Sequence, residues 1–139
     1  MRMREARICG EVDWGVDMKI SEVPCISKEF DYIFAICTFI DEFREADYEE
    51  KNLLLIDEPA GGILDKKQYC TLAAAAHKLA NDYNLSVPEW VMKDKYKMPY
   101  PVYAFNASDK DDRKLLKITT PNEYKMRNLY LGANVLKRV

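Results

Sequence analysis

The sequence predicts a mainly α fold: a compact bundle of about five helices with an aromatic, proline-containing connector and a small C-terminal β-hairpin. Three observations predict it. Two long segments repeat apolar residues at i, i+3, i+4 and i+7, one of them contains an alanine run of high helix propensity, and several segments begin with capping residues. The 139 residues have the length of one domain. We expect residues 18–139 to form that domain and residues 1–17 to be a loosely ordered arm.

Composition excludes several classes of protein. Apolar residues make up 48% of the chain and charged residues 32%, which is typical of a globular protein. The 21 basic and 23 acidic residues give a net charge of −2, so the whole surface is not the basic one of a general nucleic-acid binder. No apolar run approaches the roughly 20 residues that span a membrane. We therefore expect no contact with a membrane.

The four cysteines are widely spaced, and the chain has one histidine. Zinc sites need two close pairs of such ligands, so the sequence predicts neither a metal site nor a cofactor. No apolar segment follows the N-terminal charges, as it would in a secretory signal. We therefore expect a cytoplasmic protein with reduced thiols. Within residues 1–17, a short edge strand at residues 6–9 is the alternative to a loose arm.

The first half of the chain shows three helical segments. Ser27 precedes an apolar pattern over residues 28–46 that would cover much of the helix. Residues 48–56 form a shorter helical segment, although their last four apolar residues also suit a buried strand. The turn at residues 57–62 separates it from the clearest helix, residues 64–83, whose alanines let a neighbouring helix approach closely.

The second half alternates short helices with extended chain. Ser86 and Glu89 have the spacing of a capping box that would open a helix over residues 87–93. The prolines of residues 98–103 predict an extended, aromatic connector. Ser108 and Thr120 then open helices that run to about Ile118 and to residue 127 or 128. Residues 129–131 are predicted to be a small strand, and Gly132 turns the chain into residues 134–139.

Charge is unevenly distributed along the chain. Residues 41–58 contain eight acids and two bases, a local charge of −6. Residues 91–139 contain eleven bases and five acids, a local charge of +6. Such runs are most often two solvated faces, and the alternative is a charged surface for a partner protein or RNA.

No catalytic arrangement emerges from the residues. His77 lies two helical turns from Cys70, about 10.5 Å along the axis, which is too far for a direct hydrogen bond. Asp57 and Glu58 precede a Pro-Gly-Gly turn, where carboxylates more often face water than act as a catalytic pair. The lysines and tyrosines of residues 93–103 would suit unpaired bases, but these tyrosines more often brace a connector. We therefore predict that the chain is not an enzyme.

Two motifs resemble those of a known family. Val-Pro-Glu-Trp at residues 87–90 follows the alanine-rich helix, and the chain closes with Thr-Pro-Asn-Glu-Tyr-Lys-Met-Arg-Asn-Leu-Tyr-Leu at residues 120–131 and Asn-Val-Leu-Lys-Arg-Val at residues 134–139. Over residues 28–139 the chain is similar to an uncharacterised family of antitoxin-like proteins of bacteria and mobile elements. Many members resemble regulators of toxin–antitoxin or defence loci with a DNA-binding helix-turn-helix part. That part has no counterpart in this sequence, so the resemblance implies a protein-binding role and no catalytic residues.

The closing motif has two interpretations. Its arginine can donate two parallel hydrogen bonds, its asparagine tolerates the left-handed conformation, and its tyrosines combine apolar rings with polar hydroxyls. The motif is thus either a structural lock that closes the C-terminus onto the bundle or a partner-binding edge. The residues concerned are Tyr124, Arg127, Asn128 and Tyr130.

The sequence as a whole predicts a non-enzymatic, antitoxin-like protein-interaction module that neutralises a partner through charged surfaces. The expected partner is another protein, such as a basic toxin or nuclease, bound by an acidic face. The acidic residues of that face are Asp41, Glu42, Glu45, Glu49 and Glu50. The alternative is a nucleic-acid-binding accessory protein that uses the basic C-terminal half.

Overall fold

A computed structural model of the chain describes residues 5–7, 10–12, 18–104 and 109–133. The fold in these ranges is mainly helical, as the sequence predicts. The α-helices are α1 (Val23–Ser27), α2 (Tyr32–Glu45), α3 (Tyr48–Ile56), α4 (Lys66–Asp82), α5 (Lys110–Thr119) and α6 (Asn122–Lys125). Short 3₁₀ helices lie at Ile20–Glu22, Glu89–Met92 and Asp94–Tyr96. The strands are β1 (Glu5–Arg7), β2 (Gly10–Val12), β3 (Val102–Tyr103) and β4 (Leu129–Tyr130).

Helix α2 begins later than predicted. Asp31 has extended backbone, and its carboxylate accepts a hydrogen bond from the backbone N–H of Phe34 at 2.6 Å, so Asp31 is the N-cap. Ser27 instead ends the short helix α1, where its hydroxyl donates to the carbonyl of Val23. The buried face of α2 covers only part of the apolar pattern over residues 28–46 and lies towards its second half. It contains Ala35, Phe39, Ile40 and Phe43, whereas Phe30, Ile33 and Phe34 are exposed.

Helices α3 and α4 follow the sequence closely. Residues 48–56 are helical from end to end, so the alternative of a buried strand is wrong. Helix α4 starts at a capping box in which Asp65 and Gln68 each accept from the other's backbone N–H. It is followed by Asn84 in the left-handed conformation with φ of 57°.

Helix α4 lies between two apolar clusters and is the centre of the core. The alanines at 73, 75 and 76 contact the larger cluster, which also contains Phe39, Phe43 and Trp90. Cys70 and Ala74, on another side of the same helix, contact Tyr124 and Leu129 in the smaller cluster. Small side chains on both sides let α1–α3 and the C-terminal segments pack closely onto one helix.

The predicted capping box at Ser86 does not form. The residue is exposed, the chain stays extended through Pro88, and a 3₁₀ helix begins at Glu89 without a side-chain cap. Pro88 supplies the physical reason, because a proline disfavours helical backbone at the residue before it, and Val87 would have to be the first helical residue after Ser86. Pro88 itself is extended, with ψ of 140°. The indole N–H of Trp90 donates to the carbonyl of Leu55 at 3.0 Å and joins this turn to α3.

The second strand of the predicted C-terminal hairpin would lie in residues 134–139, which are outside the described residues, so the hairpin stays a prediction. Strand β4 pairs with β3 of the extended connector, and the two strands are parallel, with Val102 opposite Leu129. Parallel strands cannot be joined by a tight turn; here the intervening chain carries α5 and α6. Helix α6 ends at Lys125, earlier than predicted, and the hydroxyl of Thr120 accepts from the N–H of Gly132 instead of capping it.

The N-terminal segment contains β1 and β2, which pair antiparallel with Glu5 opposite Val12. The looseness of the arm stays a prediction, and its residues 1–4, 8–9 and 13–17 lie outside the described residues, as do Ser108 and residues 134–139. The expectation of reduced thiols is wrong at Cys25, which is disulfide-bonded, while Cys37 and Cys70 are free. Among the described residues, no helix has the length and apolar character to cross a membrane.

Candidate interaction surfaces

The predicted acidic face lies at the turn between α2 and α3. We call it the acidic corner: Asp41, Glu42, Glu45, Glu49 and Glu50. The end of α2 and the first turn of α3 position these side chains, because Glu45 is the last residue of α2 and Asp47 caps α3. The carboxylate of Glu42 accepts a hydrogen bond from the N–H of Met18 at 2.7 Å, so this residue has an internal role. Asp41, Glu45 and Glu49 are exposed, and Glu50 is half-buried.

Lys51, one of the two bases in this segment, does not neutralise the corner. Its side chain is only 8% exposed, and its ammonium donates to the carbonyls of Arg44 and Ala46 at the C-terminus of α2. It also lies 5.0 Å from the centre of the Tyr83 ring. Glu45 and Glu49 make no side-chain hydrogen bond or ion pair with any residue that the structure describes. Their charges are therefore directed at solvent.

An apolar strip continues the corner along α3. Leu53 is 55% exposed and Ile56 59% exposed, and both lie on the helix face of Glu49 at i+4 and i+7. Ile56 also lines an open groove of about 730 Å³, whose far wall includes Val87, Pro88 and Trp90. This surface was not predictable from the sequence, because a run of four apolar residues indicates a buried segment without showing which of the four side chains are exposed.

Asp57 and Glu58 do not form a catalytic pair. Asp57 lies 3.6 Å from the ammonium of Lys19. Glu58 accepts from Lys93 at 2.6 Å, from Lys95 at 3.0 Å and from the hydroxyl of Tyr96 at 2.6 Å. Burial alone would raise the pKa of Glu58, but these hydrogen bonds outweigh it and lower the pKa to about 2. This carboxylate is ionised at neutral pH and joins the end of α3 to the turn at residues 93–96.

The same contacts argue against nucleic-acid binding at residues 93–103. Lys93 and Lys95 both pair with Glu58, and the ammonium of Lys97 lies 3.8 Å from Asp94. Tyr96 is buried against the Trp90 ring at 5.4 Å. The three lysines and the Tyr96 ring, which the sequence suggests as contacts for a nucleic acid, thus already have partners within the protein.

Arg127 of the closing motif is buried, with 1% of its surface exposed. Its guanidinium donates to the carbonyls of Val91 and Glu123, each at 2.6 Å, and lies 3.2 Å from Nδ1 of His77. Of the residues that the structure describes, no carboxylate forms an ion pair with it. Arg127 thereby joins α4, α6 and the turn after Trp90, an arrangement that favours a structural lock.

The other residues of the closing motif have similar surroundings. Asn128 has a φ of 62°, and its side-chain amide donates to the carbonyl of Met98 at 2.8 Å. Tyr124 is buried, and burial raises the pKa of its phenol. Tyr130 is half-buried and stacks on Tyr103 at 5.2 Å between ring centres. These contacts hold the C-terminal segment against the connector.

His77 and Cys70 are not a catalytic dyad. Burial lowers the pKa of His77, and the charge of Arg127 lowers it further. Because a guanidinium can only donate, Nδ1 of the imidazole is the acceptor in their contact. Burial raises the pKa of the Cys70 thiol, which disfavours the reactive thiolate. The contact between His77 and Arg127 was not predictable, because the two residues are far apart in the sequence and belong to different motifs.

Among the described residues, no group of three or more His, Cys, Asp or Glu side chains is placed to hold a metal ion. No family model, curated protein or solved structure matches this chain.

Proposed function

We propose that this chain is a non-enzymatic protein-interaction module that binds a basic partner protein through the acidic corner and the adjoining strip of α3. The observation that supports it is the position of Glu45 and Glu49 beside the exposed Leu53 and Ile56. Neither carboxylate forms an ion pair with a residue that the structure describes. Stable protein interfaces combine an apolar centre with a polar rim, and complementary charge speeds and orients docking. The antitoxin-like role that the motif resemblance implies is part of this proposal.

The groove beside Ile56 extends the apolar part of this surface. Its walls contain Val87, Pro88 and Trp90 together with polar and charged side chains such as Asn52 and Lys93, and the bond from Trp90 to Leu55 holds the indole. A preformed groove can accept a side chain of the partner at little entropic cost. The acidic corner would then orient the partner, and the strip with its groove would supply the hydrophobic contact.

The test reverses two charges of the corner, E45K/E49K. Partners are co-purified from the source cells with the wild-type chain, and the affinity of the main purified partner is measured by calorimetry. We expect the variant to bind at least about tenfold more weakly, because two attractive contacts become repulsive.

A matched control makes the same change in net charge elsewhere, at the exposed Asp94 and Asp111 (D94K/D111K). The control is expected to bind like the wild type. Equal affinity of E45K/E49K and the control would refute this surface.

A further inference from the structure

Helix α5 carries a row of cations that the proposed function does not use. Lys110, Arg113, Lys114 and Lys117 have the spacing i, i+3, i+4 and i+7, so they lie within an arc of about 100° on one face. All four are exposed. We call them the basic ridge; it is about 10.5 Å long at 1.5 Å per residue.

No carboxylate of the described residues forms an ion pair with the three lysines of the ridge. Lys110, Lys114 and Lys117 form no side-chain hydrogen bond or ion pair with the residues that the structure describes. Of the two acids within α5, Asp111 lies beside the ridge and Asp112 on the opposite face, and neither forms an ion pair with a described residue. They lie in the first turn, where carboxylates stabilise the positive end of the helix dipole.

Two further features extend the ridge. The ammonium of Lys125 in α6 donates to the carbonyl of Lys117 at 3.2 Å and adds a fifth cation at the C-terminal end of α5. At the other side the guanidinium of Arg113 lies 4.9 Å from the centre of the Tyr103 ring, which itself stacks on Tyr130. This stack restricts the arginine before any ligand arrives, so less entropy is lost when a ligand binds.

We propose that the basic ridge binds the phosphate backbone of a nucleic acid. A row of cations at intervals of one helical turn can contact successive phosphates, and an ordered arginine offers a planar group against which a base can stack. This site differs from the one that the sequence indicates at residues 93–103, because the lysines there are paired with Glu58 and Asp94.

The surroundings of α5 argue against an anionic membrane as the ligand. A helix that lies in a membrane surface needs a continuous apolar face opposite its charges. On α5 that face has Leu116, which is half-buried beside Gly132 and is therefore turned to the body of the protein. Asp111 and Asp112 interrupt the remainder, so only Leu115 and Ile118 would be left to insert.

The test measures binding of a fluorescein-labelled oligothymidylate of about 20 nucleotides by fluorescence anisotropy, longer than one binding site. For the wild-type chain we expect binding at low salt that weakens as salt rises, with a log–log slope of about −2 to −3.5 for three to five contacts. The variant K114E/K117E should bind at least about tenfold more weakly, and its slope should be shallower by about 1.4.

The control variant K28E/K67E changes the net charge equally at two exposed lysines outside the ridge, and it should bind like the wild type within about twofold. Circular dichroism melting checks that both variants are folded. Absence of binding at low salt would overturn the proposal, and so would equal loss in the two variants. Binding to phosphatidylserine vesicles without binding to the oligonucleotide would overturn it in favour of a membrane surface.

Discussion

Arg127 is the most deeply buried charged side chain of the described residues, and its partners are carbonyl groups and an imidazole. Removing a guanidinium from water is costly, so its hydrogen bonds must be complete for the fold to tolerate it. The planar fork lets one side chain reach Val91 on one side and Glu123 with His77 on the other. Arg127 therefore joins the segment around residue 91 directly to the closing motif.

We predict that R127A lowers the free energy of unfolding by about 2–4 kcal/mol, because two buried carbonyls lose their donor and a cavity forms. R127K should lose about 1–2 kcal/mol, since one ammonium cannot span both sides. Urea unfolding followed by circular dichroism measures both, with K67A as an exposed control. A loss below about 0.5 kcal/mol in R127A would show that Arg127 does not lock the fold.

The motif residues were recognisable in the sequence, but their contacts were not. The left-handed conformation of Asn128 follows from the tolerance of asparagine for positive φ. The contact of His77 with Arg127 depends on the tertiary fold, which alone brings the two residues near each other. Sequence patterns report the properties of a residue and its neighbours within a turn or two, whereas this contact crosses the molecule.

Among the elements, those with a local cause were predictable and those with a distant cause were not. Helix α3 has the predicted bounds because its cap and its apolar residues lie within a few positions. The pairing of β3 with β4 could not be predicted, because it depends on how α5 and α6 lead the chain back to the connector. The cations of the basic ridge repeat with the helical period that also identifies apolar faces. A search for basic residues with that period would have predicted the ridge from the sequence.

The contacts of Glu58 join the end of α3 to the turn at residues 93–96, and a variant of this residue measures how much they stabilise the fold. We predict that E58Q lowers the free energy of unfolding by about 1 kcal/mol at pH 7, a small value because the carboxylate is 27% exposed and its ion pairs are screened. The pKa of Glu58 falls from 4.5 to about 2 on folding, so its contribution is present above pH 4.5 and is lost as pH falls towards 2. The difference between wild type and variant should shrink over that range.

Urea unfolding at a series of pH values measures this difference. D57N is the matched control, because Asp57 is 58% exposed and contacts one lysine at 3.6 Å. It should cost less than half as much as E58Q. A constant difference between wild type and E58Q from pH 7 to pH 2 would contradict the assignment.

At the scale of the whole molecule, the acidic corner and the basic ridge lie on different elements of the fold. The acidic corner belongs to α2 and α3, which pack in the larger apolar cluster, and the basic ridge belongs to α5 in the C-terminal part. The sequence shows this separation as charges of −6 and +6. It does not show that Lys51 turns inwards or that Glu58 binds Lys93 and Lys95, and these contacts decide which charges remain free.

We propose that the chain acts by docking a basic partner on the acidic corner and the strip of α3. Hydrogen–deuterium exchange, with and without the purified partner, is the sharpest test of this docking, because protection maps the covered surface without any mutation. We expect slower exchange in residues 41–56 and 86–90, with little change in α5. Protection confined to other parts of the chain, with residues 41–56 unchanged, would refute the docking surface.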